Sequence, residues 1–208
     1  MRAPLLRGLE YGRRVILVPD DAVIPERPAH APAPGDEIPS HFRWCFGCGD
    51  DHPTGLHMKM TAGDDLTVHG VFTVTDNHQG APGLAHGGIL ASAFDDVLGG
   101  LNWLIGYPVV TGRLETEYRR PVPVGSTLTI TARIDGIKGR KVFTSAEGYL
   151  DDGQLAVRAS ALFIQVPIEH FLENGNREQV EQAIVDRANG GPAWRAGESA
   201  GMNWDVNP

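Results

Sequence analysis

The sequence predicts an α+β fold in which one long helix is buried against an antiparallel sheet that curls around it. Two observations lead to this fold class. Residues 85–105 are apolar on nearly every side of a helical projection, which is typical of a helix buried by its surroundings. They are followed by segments of alternating polar and apolar residues, the pattern of half-buried strands, at 110–120, 126–136, 141–150 and 154–166. Because a lone helix has apolar surface on several sides, the sheet has to curl in order to cover it.

The segments that precede the helix are less regular. Residues 13–18 predict one short strand, and residues 66–75 predict another because their apolar side chains alternate. Between these two segments, six prolines fall within residues 19–40, where they remove backbone hydrogen-bond donors. We therefore interpret residues 19–40 as an extended, polyproline-like connector rather than a core element, although it can still lie over a folded surface.

The remaining predicted features are the hairpin turns and the C-terminal region. Residues 135–139 and 151–153 carry the Asp and Gly residues of hairpin turns between the last three strands. The C-terminal region is polar and rich in glycine, with one short helix predicted over 177–188. The predicted regions are an N-terminal arm with a proline-rich connector (1–43), a folded domain (44–166) and a C-terminal tail with a short helix (167–208).

The composition excludes several classes of function. The 208 residues include 18 Lys+Arg and 26 Asp+Glu, giving a formal charge of −8, and an acidic chain lacks the cations on which general nucleic-acid binding depends. No stretch approaches the ~18 apolar residues of a membrane-spanning helix. Two cysteines are too few for a disulfide framework, and the first twenty residues lack the apolar core of a signal peptide. We therefore expect a cytoplasmic protein that does not bind nucleic acid and has no membrane span.

A glycine-rich turn leads into the buried helix and supplies the main candidate site. Gly87 and Gly88 fall at the helix start, where backbone N–H groups lack intrahelical partners and the helix dipole is positive. Such amides can stabilise the oxyanion of an acyl-transfer reaction. Asp95 lies two turns further along the same apolar helix, where an unpaired carboxylate is costly and its pKa rises, as suits a general base or a nucleophile.

The distance between these groups predicts an oligomer. Eight residues of helix separate Gly87 from Asp95, a rise of about 12 Å. A base has to lie within ~3 Å of the group on which it acts, or one water away. If both groups act on one substrate, the amides of one subunit must face Asp95 of another across a two-fold axis.

Structural roles are also open for each of these residues. The glycine pair is compatible with close packing of the helix start against a strand, and Asp95 and Asp96 with structural hydrogen bonds. His86 fits a helix-start residue that bonds to nearby backbone better than it fits a proton shuttle.

Four separated motifs resemble one family. The run 79–88 (QGAPGLAHGG), with Asp95 nine residues after His86, resembles the hotdog-fold acyl-CoA thioesterases of the phenylacetyl-CoA (PaaI-like) superfamily. The other motifs follow in the order of that family and are CFGCG at 45–49 with PTGL at 53–56, YRRPVPVG at 118–125 and GRK at 139–141. The resemblance covers about residues 44–166 and implies a helix wrapped by an antiparallel sheet, in homodimers or in tetramers built from two dimers.

The resemblance also implies a reaction, the hydrolysis of an acyl- or aryl-CoA thioester to free acid and CoA without a cofactor. The amide of Gly87 would polarise the thioester carbonyl, with Gly88 beside it and His86 supporting the turn. Asp95 of the partner subunit would activate water or attack directly, and Thr111 would orient the water. Some members of the family have an Asn six residues before the His, where this chain has Gly80. The second oxyanion donor is therefore open.

The net charge conceals a local excess of cations. Residues 107–150 contain seven Lys and Arg against four Asp and Glu, which is a local charge of +3. Alternating charges of this kind often serve only to keep exposed strand faces solvated. The alternative is that Arg119, Arg140 and Lys141 bind the phosphates of CoA, since guanidinium groups suit forked contacts with phosphate.

A possible metal site precedes the folded domain's first strand. His41, Cys45, Cys48 and His52 have the spacing H-x3-C-x2-C-x3-H. A single C-x2-C pair is a weak signal, and the two histidines are closer in sequence than in common zinc fingers. Because the signature of the resembled family contains the cysteine pair without a metal, we expect no metal here.

Two other functions compete with hydrolysis. The first is a non-catalytic acyl-CoA-binding or regulatory protein. This alternative stays open because Gly80 replaces the Asn that assists the carbonyl in some members of the family. The second is a hotdog enoyl-CoA hydratase, which is less favoured because the helix has no His after His86 to pair with an acid. The acyl group is not fixed by the sequence, and Phe94, Trp103 and Tyr107 are candidates to line its site.

Overall fold

The computed structural model describes residues 16–188, which form nine β-strands and four α-helices. The strands are β1 (Glu37–Ile38), β2 (Lys59–Ala62), β3 (Thr67–Thr73), β4 (Gln79–Ala81), β5 (Leu84–Ala85), β6 (Val109–Tyr118), β7 (Thr127–Lys138), β8 (Lys141–Leu150) and β9 (Leu155–Gln165). The helices are α1 (Gly87–Gly100), α2 (Asn102–Ile105), α3 (Ile168–Asn174) and α4 (Arg177–Ala188). Among the described residues, no helix is both long and apolar enough to cross a lipid bilayer.

Seven strands form one antiparallel sheet in the order β1-β2-β3-β7-β8-β9-β6. Strands β4 and β5 form a separate two-stranded ribbon that leads into α1. In the described part of the chain β6 pairs only with β9, so its other side is an edge of the sheet. This architecture confirms the predicted α+β class and the hotdog fold.

Helix α1 is the element that the sheet covers. Its buried side chains include Leu90, Ala93, Phe94, Val97 and Leu98, and burying each large one contributes about 1.5–3 kcal/mol.

Two glycines in the strands make room for this helix. A Cβ atom at position 148 of β8 would lie 2.6 Å from Phe94, and one at position 70 of β3 would lie 2.4 Å from Val97. The absence of side chains at Gly70 and Gly148 therefore lets the sheet approach and curl around α1.

The predicted long helix of residues 85–105 is wrong at its start and near its end. Leu84 and Ala85 pair with β4, and the Ala85 N–H donates a hydrogen bond to the Val122 carbonyl, so α1 begins only at Gly87. Near the other end, the side chain of Asn102 hydrogen-bonds to the Gly99 carbonyl. At the same place the Leu101 N–H donates to the Leu98 carbonyl, only three residues back, so the α-helical pattern is interrupted between α1 and α2.

The predicted strands agree with the structure to within two residues at each end for 66–75, 110–120, 126–136, 141–150 and 154–166. Strand β3 begins at Thr67 rather than at Leu66, because Leu66 has a left-handed backbone conformation with φ of 57°. Within β7 the pairing register shifts between Ile134 and Gly136, so Asp135-Gly136 is a bulge and not the hairpin turn. The turn itself uses Gly139, with φ of 56°.

The N-terminal connector contributes to the sheet, which corrects the prediction that it lies outside the core. Glu37 and Ile38 pair with β2, and Ile38 is buried. Upstream, Val23 forms a β-bridge with Ile137. The predicted strand 13–18 falls partly outside the described residues. Its described part, 16–18, is not a strand, although the Ile16 N–H donates to the Glu115 carboxylate.

The C-terminal region contains two helices where one was predicted. Helix α4 confirms the helix predicted over 177–188, whereas α3 was missed. The start of the predicted arm (1–15) and the end of the predicted tail (189–208) lie outside the described residues. The division of the chain into arm, domain and tail stays a prediction.

Candidate active site

The start of α1 offers one backbone amide to a ligand. His86 is the N-cap, and its Nδ1 accepts a hydrogen bond of 2.9 Å from the Gly88 N–H. Because Nδ1 is the acceptor, a neutral His86 ring carries its proton on Nε2. The Gly88 amide is thus already engaged by His86. Gly87 occupies the first helical position, where the N–H has no intrahelical acceptor, so the two predicted amides are not equivalent.

Tyr118 lies beside this helix start and was missed by sequence reasoning. Its hydroxyl donates a hydrogen bond of 2.7 Å to the Gly87 carbonyl. A Cβ atom at position 87 would lie 3.4 Å from the Tyr118 ring, which is an ordinary contact. Tyr118 is the first residue of the motif YRRPVPVG, and this motif was the signal in the sequence that could have identified it.

The structure gives a physical reason why this chain has glycine at position 80, where some members of the resembled family have asparagine. A Cβ atom at position 80 would lie 2.8 Å from both Cα and Cδ2 of His86. This backbone therefore has no space for an Asn side chain at position 80. Close packing of the glycine-rich turn against the N-cap histidine occupies that space instead.

His78 holds the same turn from the other side. Its carbonyl accepts a hydrogen bond of 2.7 Å from the His86 N–H, and its Nδ1 accepts one of 3.0 Å from the Thr75 N–H. The ring is buried against Phe72, with 5.0 Å between the ring centroids. Burial lowers the pKa of His78, so this histidine is a neutral structural element of the turn.

Asp95 lies at the other end of the proposed site. The Thr111 hydroxyl donates a hydrogen bond of 2.9 Å to Asp95 Oδ1. Burial raises the pKa of the Asp95 carboxyl, and the hydrogen bond from Thr111 acts in the opposite direction. The structure therefore brings together two residues that are 16 positions apart, one on α1 and one on β6.

Asp95 and Thr111 line a cavity of about 530 Å³, within the ~300–1,000 Å³ range of small-molecule sites. Of the candidate acyl-site residues, Trp103 lines this cavity. Phe94 does not, because it is fully buried in the core against Gly148. Tyr107 also packs against the core rather than into the cavity.

The far wall of the cavity comes from the C-terminal helices. Phe171 of α3 and Val180 and Ile184 of α4 line it. Sequence reasoning left this region without a role. The signal it missed is the spacing of four residues between Val180 and Ile184, which places both on one face of a helix.

The candidate phosphate-binding cations divide between the two ends of the site. Arg119 follows Tyr118 and forms an ion pair of 2.5 Å with Glu117. Arg140 and Lys141 lie at the β7–β8 turn, where Lys141 pairs with Ile164, the strand partner of Val110. Arg119 is thus near Gly87, whereas Arg140 and Lys141 are near Thr111, and the three cations do not meet within one chain.

A second cluster of reactive side chains lies on another side of α1. It contains His41, Cys45, Cys48 and Asp96, with one potential ligand atom from each within 4.8 Å of all the others. His52, which the sequence spacing suggested, is not in the cluster and instead packs edge-on against Phe46. We call these four residues the thiol cluster.

Asp96 is the unexpected member of the thiol cluster. Its Oδ1 lies 3.6 Å from Cys45 Sγ, across 51 positions of sequence. Its Oδ2 is buried and has no hydrogen-bond partner among the described residues. Burial is the main reason that the pKa of Asp96 rises to about 7. Adjacent carboxylates on α1 thus face different surroundings.

Comparisons with known proteins agree with this architecture. The family model described as "Thioesterase superfamily" matches residues 82–157. Over 90 residues the chain is 40% identical to the acyl-coenzyme A thioesterase THEM4 of Xenopus laevis, covering 42% of this chain and 40% of that protein. The match therefore spans less than half the length of this curated relative.

Two solved structures are similar to part of this chain. The crystal structure of RHA08564, a thioesterase superfamily protein, has a TM-score of 0.56 at 32% identity and covers 65% of this chain and 70% of that one. The PaaI protein of E. coli has a TM-score of 0.50 at 20% identity, covering 53% of this chain and 80% of that one. The second similarity is one of fold alone.

Proposed function

The chain belongs to the thioesterase superfamily, and we propose that it is an acyl-CoA thioesterase that hydrolyses an acyl- or aryl-CoA thioester to free acid and CoA. The observation that carries this proposal is the Asp95–Thr111 pair at the wall of a ligand-sized cavity. The other carboxylate oxygen and the hydroxyl oxygen can each accept a hydrogen bond from a water molecule beside the pair. The THEM4 relatives are named acyl-coenzyme A thioesterases, which supports the substrate class.

The chemistry needs a base and an oxyanion donor. Asp95 removes a proton from water as the water oxygen attacks the thioester carbonyl carbon, and Thr111 orients that water. The developing oxyanion accepts a hydrogen bond from the Gly87 N–H. When the C–S bond breaks, the CoA sulfur leaves and takes up the proton held by Asp95. In the alternative route, Asp95 attacks the carbonyl itself and water then hydrolyses the mixed anhydride.

The complete site requires two subunits. Gly87 and Asp95 of one chain are separated by about 12 Å of helix, too far to act on one carbonyl. Strand β6 is an edge strand, with Thr111 toward its start and Tyr118 at its end. Antiparallel pairing of two β6 strands would place the Thr111 end of one subunit beside the Tyr118 end of the other. Each dimer then has two equivalent sites.

The same pairing of two β6 strands would bring the candidate phosphate-binding cations of two subunits close together. Arg119, near Gly87 of one subunit, would approach Arg140 and Lys141 near Thr111 of its partner. Together they form a cationic surface suited to the phosphates of CoA. The cavity behind Asp95 would hold the acyl group, and its walls from α3 and α4 would limit that group's length. The free thiols of Cys45 and Cys48 agree with a cytoplasmic setting, which stays a prediction.

The test is turnover of short-chain, long-chain and aromatic acyl-CoA esters, with released CoA quantified by chromatography. Asp95→Asn keeps the side-chain shape but removes the base, and we expect kcat to fall about 10²–10⁴-fold on the preferred ester. The matched control is Asp65→Asn, an exposed carboxylate at φ of 46°, a conformation that Asn tolerates. The control should retain wild-type activity.

Two results would contradict the proposal. A folded Asp95→Asn variant with full activity would remove Asp95 from the mechanism. Tight binding of CoA esters by the wild-type protein, with no turnover of any ester in the panel, would instead favour the non-catalytic binding protein.

A further inference from the structure

The thiol cluster is not used by the proposed hydrolysis, yet it gathers four side chains of the kinds that bind transition metals. His41, Cys45 and Cys48 lie on the segment before β2, and Asp96 comes from α1. Two thiolates, an imidazole and a carboxylate are all ligands that Zn²⁺ accepts. We propose that these four residues bind one structural zinc ion.

The separations between ligand atoms are close to those that zinc requires. Bonds of about 2.0–2.3 Å in a tetrahedron place ligand atoms roughly 3.3–3.8 Å apart. Cys48 Sγ and His41 Nδ1 are 3.2 Å apart, and Cys45 Sγ and Asp96 Oδ1 are 3.6 Å apart. All four atoms lie within 4.8 Å of one another, so the widest gap exceeds a tetrahedral edge by no more than about 1–1.5 Å. Small side-chain rotations can close that gap.

The backbone of residues 45–49 is folded so that both sulfurs face the same side. The Gly49 N–H donates a hydrogen bond of 2.9 Å to the Cys45 carbonyl, which closes a tight turn around the cysteine pair. A Cβ atom at position 49 would lie 2.5 Å from the Cys45 backbone nitrogen. Only glycine fits this turn without a shift of the backbone.

A second glycine admits the carboxylate. A Cβ atom at position 47 would lie 2.3 Å from Cγ of Asp96. The Asp96 side chain therefore lies directly against the turn that carries the two cysteines. This contact brings a ligand from α1 to a segment some fifty residues earlier in the chain.

The unpartnered oxygen of Asp96 is a further observation in favour of a bound cation. A buried carboxylate is costly unless its oxygens are paired, and Oδ2 has no partner among the described residues. A cation bound between the sulfurs and this carboxylate would compensate that cost. Ser40 Oγ lies 3.6 Å from Cys48 Sγ and would act as an outer hydrogen-bond donor to a ligating sulfur.

The ion's role would be structural rather than catalytic. Four protein ligands complete a tetrahedral site and leave no position for water or substrate. The ion would fix residues 41–48 to α1 at the position next to Asp95. It would thus stabilise the cavity wall to which His41 and Cys45 contribute, without touching the reacting atoms.

The test is the metal content of the full chain, purified under reducing conditions without chelator. Elemental analysis should find about one zinc per chain in the wild-type protein. Cys45→Ser/Cys48→Ser and, separately, Asp96→Asn should lower this content, the double variant to below about one-tenth. His52→Ala is the matched control, since His52 belongs to the sequence spacing but not to the thiol cluster, and it should keep its zinc.

Cobalt substitution gives a second readout that needs no variant to fold. The reduced wild-type protein loaded with Co²⁺ should show thiolate-to-cobalt charge-transfer bands and the visible bands of tetrahedral cobalt. Each of three results would overturn the proposal. These are reduced wild-type protein that neither contains zinc nor gives the cobalt spectrum, a double cysteine variant that keeps its zinc, and a Cys45–Cys48 disulfide as the stable form in the reducing preparation. None of them depends on thioesterase activity.

Discussion

The start and the middle of α1 differ in the groups that they offer to a substrate. At its start, Gly87 presents a backbone N–H, and the Tyr118 hydroxyl binds the carbonyl of the same residue. Two turns later, Asp95 presents a carboxylate held by Thr111 beside the cavity. The start of the helix offers a hydrogen-bond donor, and its middle offers the carboxylate that we propose as the base. In the proposed hydrolysis each chain therefore supplies two half-sites, and about 12 Å of helix keeps them from acting on one carbonyl.

The largest effect expected at the start of α1 tests this division directly. Gly87→Pro removes the N–H at the first helical position, where proline is well tolerated, and His86 has the extended ψ of 133° that a following proline requires. We expect Gly87→Pro to lose about 10²–10³-fold in kcat. Gly87→Ala keeps the N–H and meets Tyr118 at 3.4 Å, so it should remain active. Steady-state hydrolysis of the preferred ester measures both.

Mixed oligomers then decide whether the half-sites come from different subunits. Gly87→Pro and Asp95→Asn chains with different tags are co-expressed, and doubly tagged oligomers are purified. If each site combines two subunits, a mixed dimer has one intact site and should regain about half of wild-type activity. Mixed oligomers as inactive as the two parents would show that each site lies within one chain.

The second prediction tests the role of the Thr111 hydroxyl in the Asp95 half-site. Thr111→Val removes the hydroxyl that donates to Asp95 and preserves the branched shape that suits β6. A hydrogen bond to a charged group contributes about 1.5–3 kcal/mol, so kcat should fall roughly 10–100-fold. Thr111→Ser retains the hydroxyl and serves as the control. Equal losses in both variants would mean that packing, and not the hydroxyl, matters at this position.

The smallest effect concerns substrate binding. Arg140→Gln/Lys141→Gln should raise KM for CoA esters about threefold to tenfold, with kcat little changed. The rise should shrink as salt concentration increases, since salt screens charges at exposed sites. Arg133→Gln is the control, because Arg133 is paired with Asp135 at 3.0 Å. A KM unaffected at low salt would remove Arg140 and Lys141 from the CoA site.

A second contrast lies within α1, between neighbouring carboxylates. Successive helical residues point about 100° apart, so Asp95 faces Thr111 while Asp96 faces Cys45. The sequence showed an acidic pair in an apolar helix and could not separate the two. Which strand or turn faces each side chain depends on packing. Both carboxylates border the cavity, but packing places Asp95 beside Thr111 and Asp96 in the thiol cluster.

The sequence by itself determined the buried helix, the order of the main strands and the glycine-rich turn at Gly87. These features depend on local periodicity and turn chemistry, which a linear pattern contains. The distance from Gly87 to Asp95 also followed from the sequence, because helix geometry fixes it.

Only the tertiary structure decided which distant residues meet. It placed Asp96 beside cysteines some fifty residues away and left His52 out of the thiol cluster. It joined Ile38 to the sheet, brought α3 and α4 over the cavity, and filled the space at Gly80 with His86. These contacts arise from burial of apolar surface and close packing between separate elements, which depend on the whole chain at once.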